Sequence, residues 1–185
     1  MIKTWALFKE YHNADIKVNF TNGVTWKTKI FNKKYKLLFL LRLDSYLLNK
    51  SNMNKSTYNA FIHRSIHIIN SYYQHKFSIE ISSSMKLGKK LYLPHPNGII
   101  IHPKTIIGDN CRILQQVTIG NNISKGKDNL PVIGNNVTIG AGAKIIGPCK
   151  IGNNVVIGAN SVVVKDIPDN YIVAGVPAKI IRVNT

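Results

Sequence analysis

Residues 132–163 read VIGNNVTIGAGAKIIGPCKIGNNVVIGANSVV. An aliphatic residue recurs there at every sixth position: Ile133, Ile139, Ile145, Ile151, Ile157 and Val163. The same period runs upstream through Ile101, Ile107, Ile113 and Ile119. Glycine often follows the aliphatic residue directly, as at Gly108, Gly120, Gly134, Gly140, Gly152 and Gly158. Four places after it stands a small or β-branched residue: Thr105, Cys111, Val117, Val137, Ala143, Cys149, Val155 or Ser161. A six-residue unit gives a short strand and a turn, and three units close one triangular coil of about 18 residues. The aliphatic side chains then point inward and stack one coil above another. The small residues fit the tight interior near the corners, and glycine or the pairs Asn135-Asn136 and Asn153-Asn154 suit the turns.

The register breaks twice. Leu93 to Ile101 is eight residues, two more than a unit, across Pro94-His95-Pro96-Asn97-Gly98. Ile119 to Ile133 is fourteen, eight more than a unit, across residues 121–131. A coil of this kind accommodates insertions only by ejecting them at corners, and such loops tend to carry function.

The first half is written differently. Tyr35 to Asn49 is rich in helix formers with a broad apolar face. Ser56 or Thr57 could cap a second helix running to about His75, with Tyr58, Phe61, Ile62, Ile66, Ile69 and Tyr73 as its apolar stripe. Residues 1–30 stay ambiguous, with a turn at Asn22-Gly23. The expected architecture is mainly β, a parallel β-helix over 79–185 behind a small α-helical region over 1–78.

The 185 residues carry a formal charge of +17, with a hydrophobic fraction of 44% that argues for a folded chain. Residues 1–90 hold +12 of that charge and 91–185 hold +5. Such a surface attracts polyanions, but there is no RNP-like motif, zinc-finger spacing or arginine-rich arm, so nucleic acid is not expected. No apolar run approaches the ~18 residues of a membrane span, and the N-terminus does not read as a signal peptide. Two cysteines, Cys111 and Cys149, are too few for a disulfide framework. A cytoplasmic protein is expected, with peripheral contact at the inner membrane face left open.

Residues 79–183 resemble the hexapeptide-repeat acetyltransferases, and within them the serine acetyltransferase-like branch. The segments that carry this are LPHPNGIII (93–101), ILQQVTIG (113–120), VIGNNVTIGAGAKIIG (132–147), IGANSVVVKDIP (157–168) and AGVPAKII (174–181). The resemblance implies a left-handed β-helix, acetyl-CoA as donor, no metal, and a homotrimer or dimer of trimers with active sites between neighbouring subunits.

His95 lies in the first register break, and an imidazole is suited to act as general base on a hydroxyl near neutral pH. In the resembling enzymes a histidine at this motif deprotonates the acceptor, which attacks the thioester directly. Glu80, fifteen residues earlier and so close to one coil away, keeps the carboxylate that orients that base. Gly120, Ala141 and Ala159 would let backbone approach the pantetheine arm, and Lys165 and Lys179, with Arg182, would meet the phosphates. His102 reads as structural. His63 and His67 are i, i+4 on the second helix but show no third ligand in sequence, so they read as helix surface.

The acceptor pocket departs from the family. Serine acetyltransferases carry Asp directly before the catalytic histidine and a second histidine in the loop, where this chain has Pro94 and Leu130. On that ground a sugar hydroxyl is expected instead of free serine, in surface-polysaccharide or capsule biosynthesis, with Asn97, Asn121, Asn122 and Lys125 contacting it. Serine O-acetylation for cysteine biosynthesis is the alternative. A γ-type carbonic anhydrase would need three converging histidines, and the repeats hold only His95 and His102. A non-catalytic assembly module would show no acetyl-CoA binding.

Overall fold

The computed structural model describes residues 2–54, 56–122 and 130–184. Four helices lead the chain: α1 (Trp5–Asn19), α2 (Trp26–Phe31), α3 (Lys33–Asn54) and α4 (Thr57–Lys76). Thr4 caps α1, its hydroxyl accepting the Leu7 N–H at 3.2 Å, and Thr25 does the same for Thr28 at the start of α2. The ambiguous first 30 residues are therefore two short helices, separated by a turn in which Gly23 takes φ +79°. The helix expected over 35–49 is longer at both ends.

The rest is a left-handed parallel β-helix with three faces. On the first face lie β1 (Glu80–Ile81), β3 (Ile100–Ile101), β6 (Thr118–Gly120), β9 (Lys144–Ile146) and β12 (Val162–Val163). The second holds β2 (Lys86–Leu87), β4 (Ile106–Ile107), β7 (Val132–Ile133) and β10 (Lys150–Ile151). The third holds β5 (Arg112–Ile113), β8 (Thr138–Ile139), β11 (Val156–Ile157) and β13 (Tyr171–Gly175), to which β14 (Ala178–Val183) returns antiparallel.

The sixfold residues stack as their period requires. Ile81, Ile101, Ile119, Ile145 and Val163 pair in register down the first face; Leu87, Ile107, Ile133 and Ile151 do so down the second. Ile101 to Ile119 is one plain coil, whereas Ile107 pairs with Ile133 across eight residues more than a coil. Each small residue of the repeat is buried, Thr105 and Ser161 included. Asn136 and Asn154 take φ +57° at their corners, and side-chain amides run from Asn110 through Asn136 and Asn154 to Asn170 at 2.8–2.9 Å. Gly134 has another reason to be glycine: a Cβ there would come within 2.8 Å of the Gly152 backbone.

Leu37, Leu38 and Leu41 of α3 join the interior column in one core, so the helices close the N-terminal end of the β-helix. The stripe expected on α4 is not buried as a stripe. Tyr58 and Phe61 stand about 70% exposed, and the residue α4 buries most completely is Asn70.

Candidate active site

The corner between the third and first faces is built from left-handed residues stacked on one another. Ser78, Gly98, Gln116, Gly142 and Asn160 all have φ between +52° and +71°. Backbone bonds tie each corner to the next: Gly98 N–H to Phe77 O, Gln116 N–H to Asn97 O, Gly142 N–H to Gln115 O and Asn160 N–H to Ala141 O, at 2.8–3.0 Å. His95 and Asn97 are exposed at the top of this edge, where the two extra residues of the first break push the chain outward. Ala141 and Ala159 follow below. A Cβ on Gly140 would sit 2.5 Å from the Ala159 nitrogen, so only glycine fits there. At the bottom, Gly175 N–H donates to Ser161 Oγ at 3.2 Å and brings the turn from Gly175 to Lys179 alongside. Four of the singled-out residues (His95, Asn97, Ala141, Ala159) therefore share one edge, with Lys179 at its end.

The others lie elsewhere. Gly120, Asn121 and Asn122 are on the next corner, between the first and second faces, where Gly147 N–H donates to Gly120 O at 3.0 Å. Lys165 is exposed on that corner, two residues past β12. Lys125 falls outside the described residues. Glu80 is exposed on the outer side of β1, in a groove of about 600 Å³ that Ser78, Ser82, Gln74 and His67 also line. Among the described residues the ion pairs are Arg42–Asp15, Lys89–Glu10 and the two histidines on Asp44; Glu80 and His95 are not joined to each other.

Two neighbours were not singled out in the sequence. Gln115 lies directly under Asn97, and its side-chain oxygen is buried without a hydrogen-bond partner. Lys144 Nζ donates to Gln116 O at 2.7 Å and Thr118 Oγ1 at 3.1 Å, bracing the edge against the first face. The Gln115-Gln116 doublet between the inward Ile113 and Val117 was the available signal. Burial pushes the thiols of Cys111 and Cys149 up to about 11, so neither offers a thiolate for an acyl-enzyme. His102 Nδ1 accepts the Lys104 N–H at 3.2 Å within its turn.

A stacked six-residue repeat closed into a three-faced left-handed coil, with an exposed histidine on a glycine- and alanine-lined edge, is the arrangement expected of a hexapeptide-repeat transferase. The bacterial transferase hexapeptide family (six repeats) matches residues 131–165. A serine acetyltransferase of Buchnera aphidicola is 38% identical over 154 residues, 83% of this chain and 55% of that protein. Among solved structures, a serine acetyltransferase in complex with CoA superposes with TM-score 0.75 at 28% identity, over 96% of this chain and 71% of the other. Soybean serine acetyltransferase complexed with serine gives 0.75 at 28%, over 94% and 69%. The chain spans about half the length of the curated relatives it matches. The chain is thus similar to the bacterial transferase hexapeptide family in its repeats and to serine acetyltransferases beyond them.

These relatives correct the expected acceptor. The likeness covers the helical region as well as the repeats, and the relatives named here are serine acetyltransferases, not polysaccharide O-acetyltransferases. Two substituted positions, Pro94 and Leu130, were too narrow a basis for choosing a sugar, because an acceptor is held by groups from several coils.

Proposed function

We propose that this chain transfers the acetyl group of acetyl-CoA to the side-chain hydroxyl of serine, the step that feeds cysteine biosynthesis. The observation that carries this is the likeness to serine acetyltransferases across 83% of the chain, helices included. His95 takes the hydroxyl proton as the serine oxygen attacks the thioester carbon. The C–S bond then breaks, and the imidazolium returns the proton to the departing sulfur, giving O-acetylserine and free CoA. Glu80, on the neighbouring coil but not joined to His95 in the free chain, would orient the imidazole once the acceptor is bound. The pantetheine arm lies along the edge of Ala141 and Ala159, with Lys179 and Arg182 toward the phosphates. No metal takes part.

Gly120, Asn121, Asn122 and Lys165 occupy the opposite corner of the first face from His95, so the two sets come together only across a subunit boundary. A homotrimer supplies that boundary, residues 79–185 forming the transfer unit and 1–78 its cap, and the exposed Tyr58, Phe61, Ile68 and Tyr72 of α4 would serve a dimer of trimers. None of the described helices is long and apolar enough to cross a membrane, and the reading takes the reaction to be cytoplasmic, where acetyl-CoA is made. The test is incubation with acetyl-CoA and L-serine as sole acceptor, reading CoA release and the product mass. Serine-dependent release with an O-acetylated product supports the reading; bound acetyl-CoA with no serine turnover overturns it.

A further inference from the structure

Helices α3 and α4 lie side by side, and Asp44 of α3 is fully buried between them. Three α4 side chains converge on it from positions that share one helix face. His67 Nδ1 is 2.9 Å from Asp44 Oδ2, Asn70 Nδ2 donates to the same oxygen at 2.9 Å, and His63 Nε2 lies 3.2 Å from Asp44 Oδ1. This corrects the sequence reading of the two histidines as plain helix surface, because the third ligand comes from the other helix.

The cluster is not satisfied as it stands. Asp44 Oδ1 and His63 Nε2 lie within ion-pair distance but are misaligned for a hydrogen bond, and both are buried without a hydrogen-bond partner, as is the Oδ1 of the fully buried Asn70. A buried carboxylate oxygen and a buried imidazole nitrogen left without a hydrogen bond each carry a desolvation cost. One donor atom from each of Asp44, His63 and His67 lies within 4.8 Å of the other two. A cation at their centre would take the Asp44 Oδ1 and His63 Nε2 lone pairs directly, while Asn70 Nδ2 on Oδ2 fixes the carboxylate, as outer partners do in metal sites.

We propose that Asp44, His63 and His67 bind one divalent cation of the zinc class and staple α3 to α4. Two imidazoles and one carboxylate favour zinc, cobalt or nickel over magnesium or calcium. Zinc bonds of about 2.0–2.2 Å require the donors to draw in from their present spread, which His67, half exposed, is free to do. Its open side leaves a fourth position for water. The role is structural: α4 also delivers Gln74 to Ile81 beside Glu80, so a fixed α4 fixes the rim of that groove. This stands independently of the acetyl-transfer reading.

The test uses the full chain, stripped with a chelator and titrated with zinc alone, reading stoichiometry by competition with a chromophoric chelator and the thermal midpoint in parallel. One zinc per chain is expected, with a midpoint raised by roughly 5–10 °C at about 100-fold excess over Kd. His67→Ala, a change at a half-exposed position, should fold normally and lose that rise, and His63→Ala should do likewise. Cobalt in place of zinc should give visible d–d bands in the wild type alone. Folded wild type with no stoichiometric zinc, or an equal rise in both variants, would overturn the proposal.

Discussion

Pro94 stands directly before His95, where the resembling serine acetyltransferases carry an aspartate for the amino-acid acceptor. Proline brings neither charge nor an N–H, so a serine bound at this corner lacks one charged partner, a loss of about 1.5–3 kcal/mol. The loss falls on binding more than on chemistry. Steady-state kinetics should show a high KM for serine, lowered by roughly 10-fold or more in Pro94→Asp with kcat little changed; a raised KM in that variant would count against the assignment. His12 carries a second residue-scale consequence. Burial, with Arg42 and then Lys29 nearby, holds its imidazole down at about 4 from 6.5. The folded state thus binds fewer protons than the unfolded one between those values. The contribution is fully present above about 6.5 and is lost as pH falls toward 4. Thermal midpoints followed across that window should drop more steeply in wild type than in His12→Gln; parallel curves would contradict this.

At the scale of elements, the first coil of a β-helix presents three unpaired edges, a liability for any sheet. Each is closed by a different helix. Gln74 of α4 pairs with both the N–H and C=O of Ile81, at 2.8 and 3.1 Å. Arg42 of α3 donates to Leu87 O at 2.9 Å and to Gly88 O. Asp15 and Asn19 of α1 accept the N–H groups of Leu91 and Leu93, and Asn19 donates to Leu91 O at 2.7 Å. Arg42 and Asp15 are themselves a buried pair at 2.7 Å. Removing Arg42 leaves Asp15 buried and uncompensated, a cost of about 3–5 kcal/mol; losing Gln74 strands two backbone groups, about 1–3 kcal/mol. Denaturant melts should therefore rank Arg42→Ala below Gln74→Ala, and the reverse order would argue against Arg42 as the central tie. This capping was not legible in the sequence, because it joins side chains to backbone groups at unrelated separations, from 7 residues (Gln74 to Ile81) to 76 (Asp15 to Leu91). The repeat was legible, because its six-residue period is local and each unit forces the next. The helices lay between: α4 could be read from its cap and spacing, but its apolar stripe pointed to the wrong buried face, since Asn70 and the histidines turn inward to Asp44.

For the whole molecule, sequence reasoning singled out His95 from a break in register and read the β-helix from its repeats, but it misjudged the acceptor. A pocket built on several stacked coils cannot be read from two positions. The edge from His95 past Ala141 and Ala159 to Lys179 is continuous within one chain, whereas Asn121 and Lys165 lie on the opposite corner of the first face. The central claim is that His95, at the head of this edge, is the base that activates serine. The most direct measurement is kcat/KM for L-serine in wild type and His95→Ala, with acetyl-CoA binding verified in both. Loss of at least ~10² in kcat with the donor still bound is the expected result. Equal turnover in the two proteins would contradict the account.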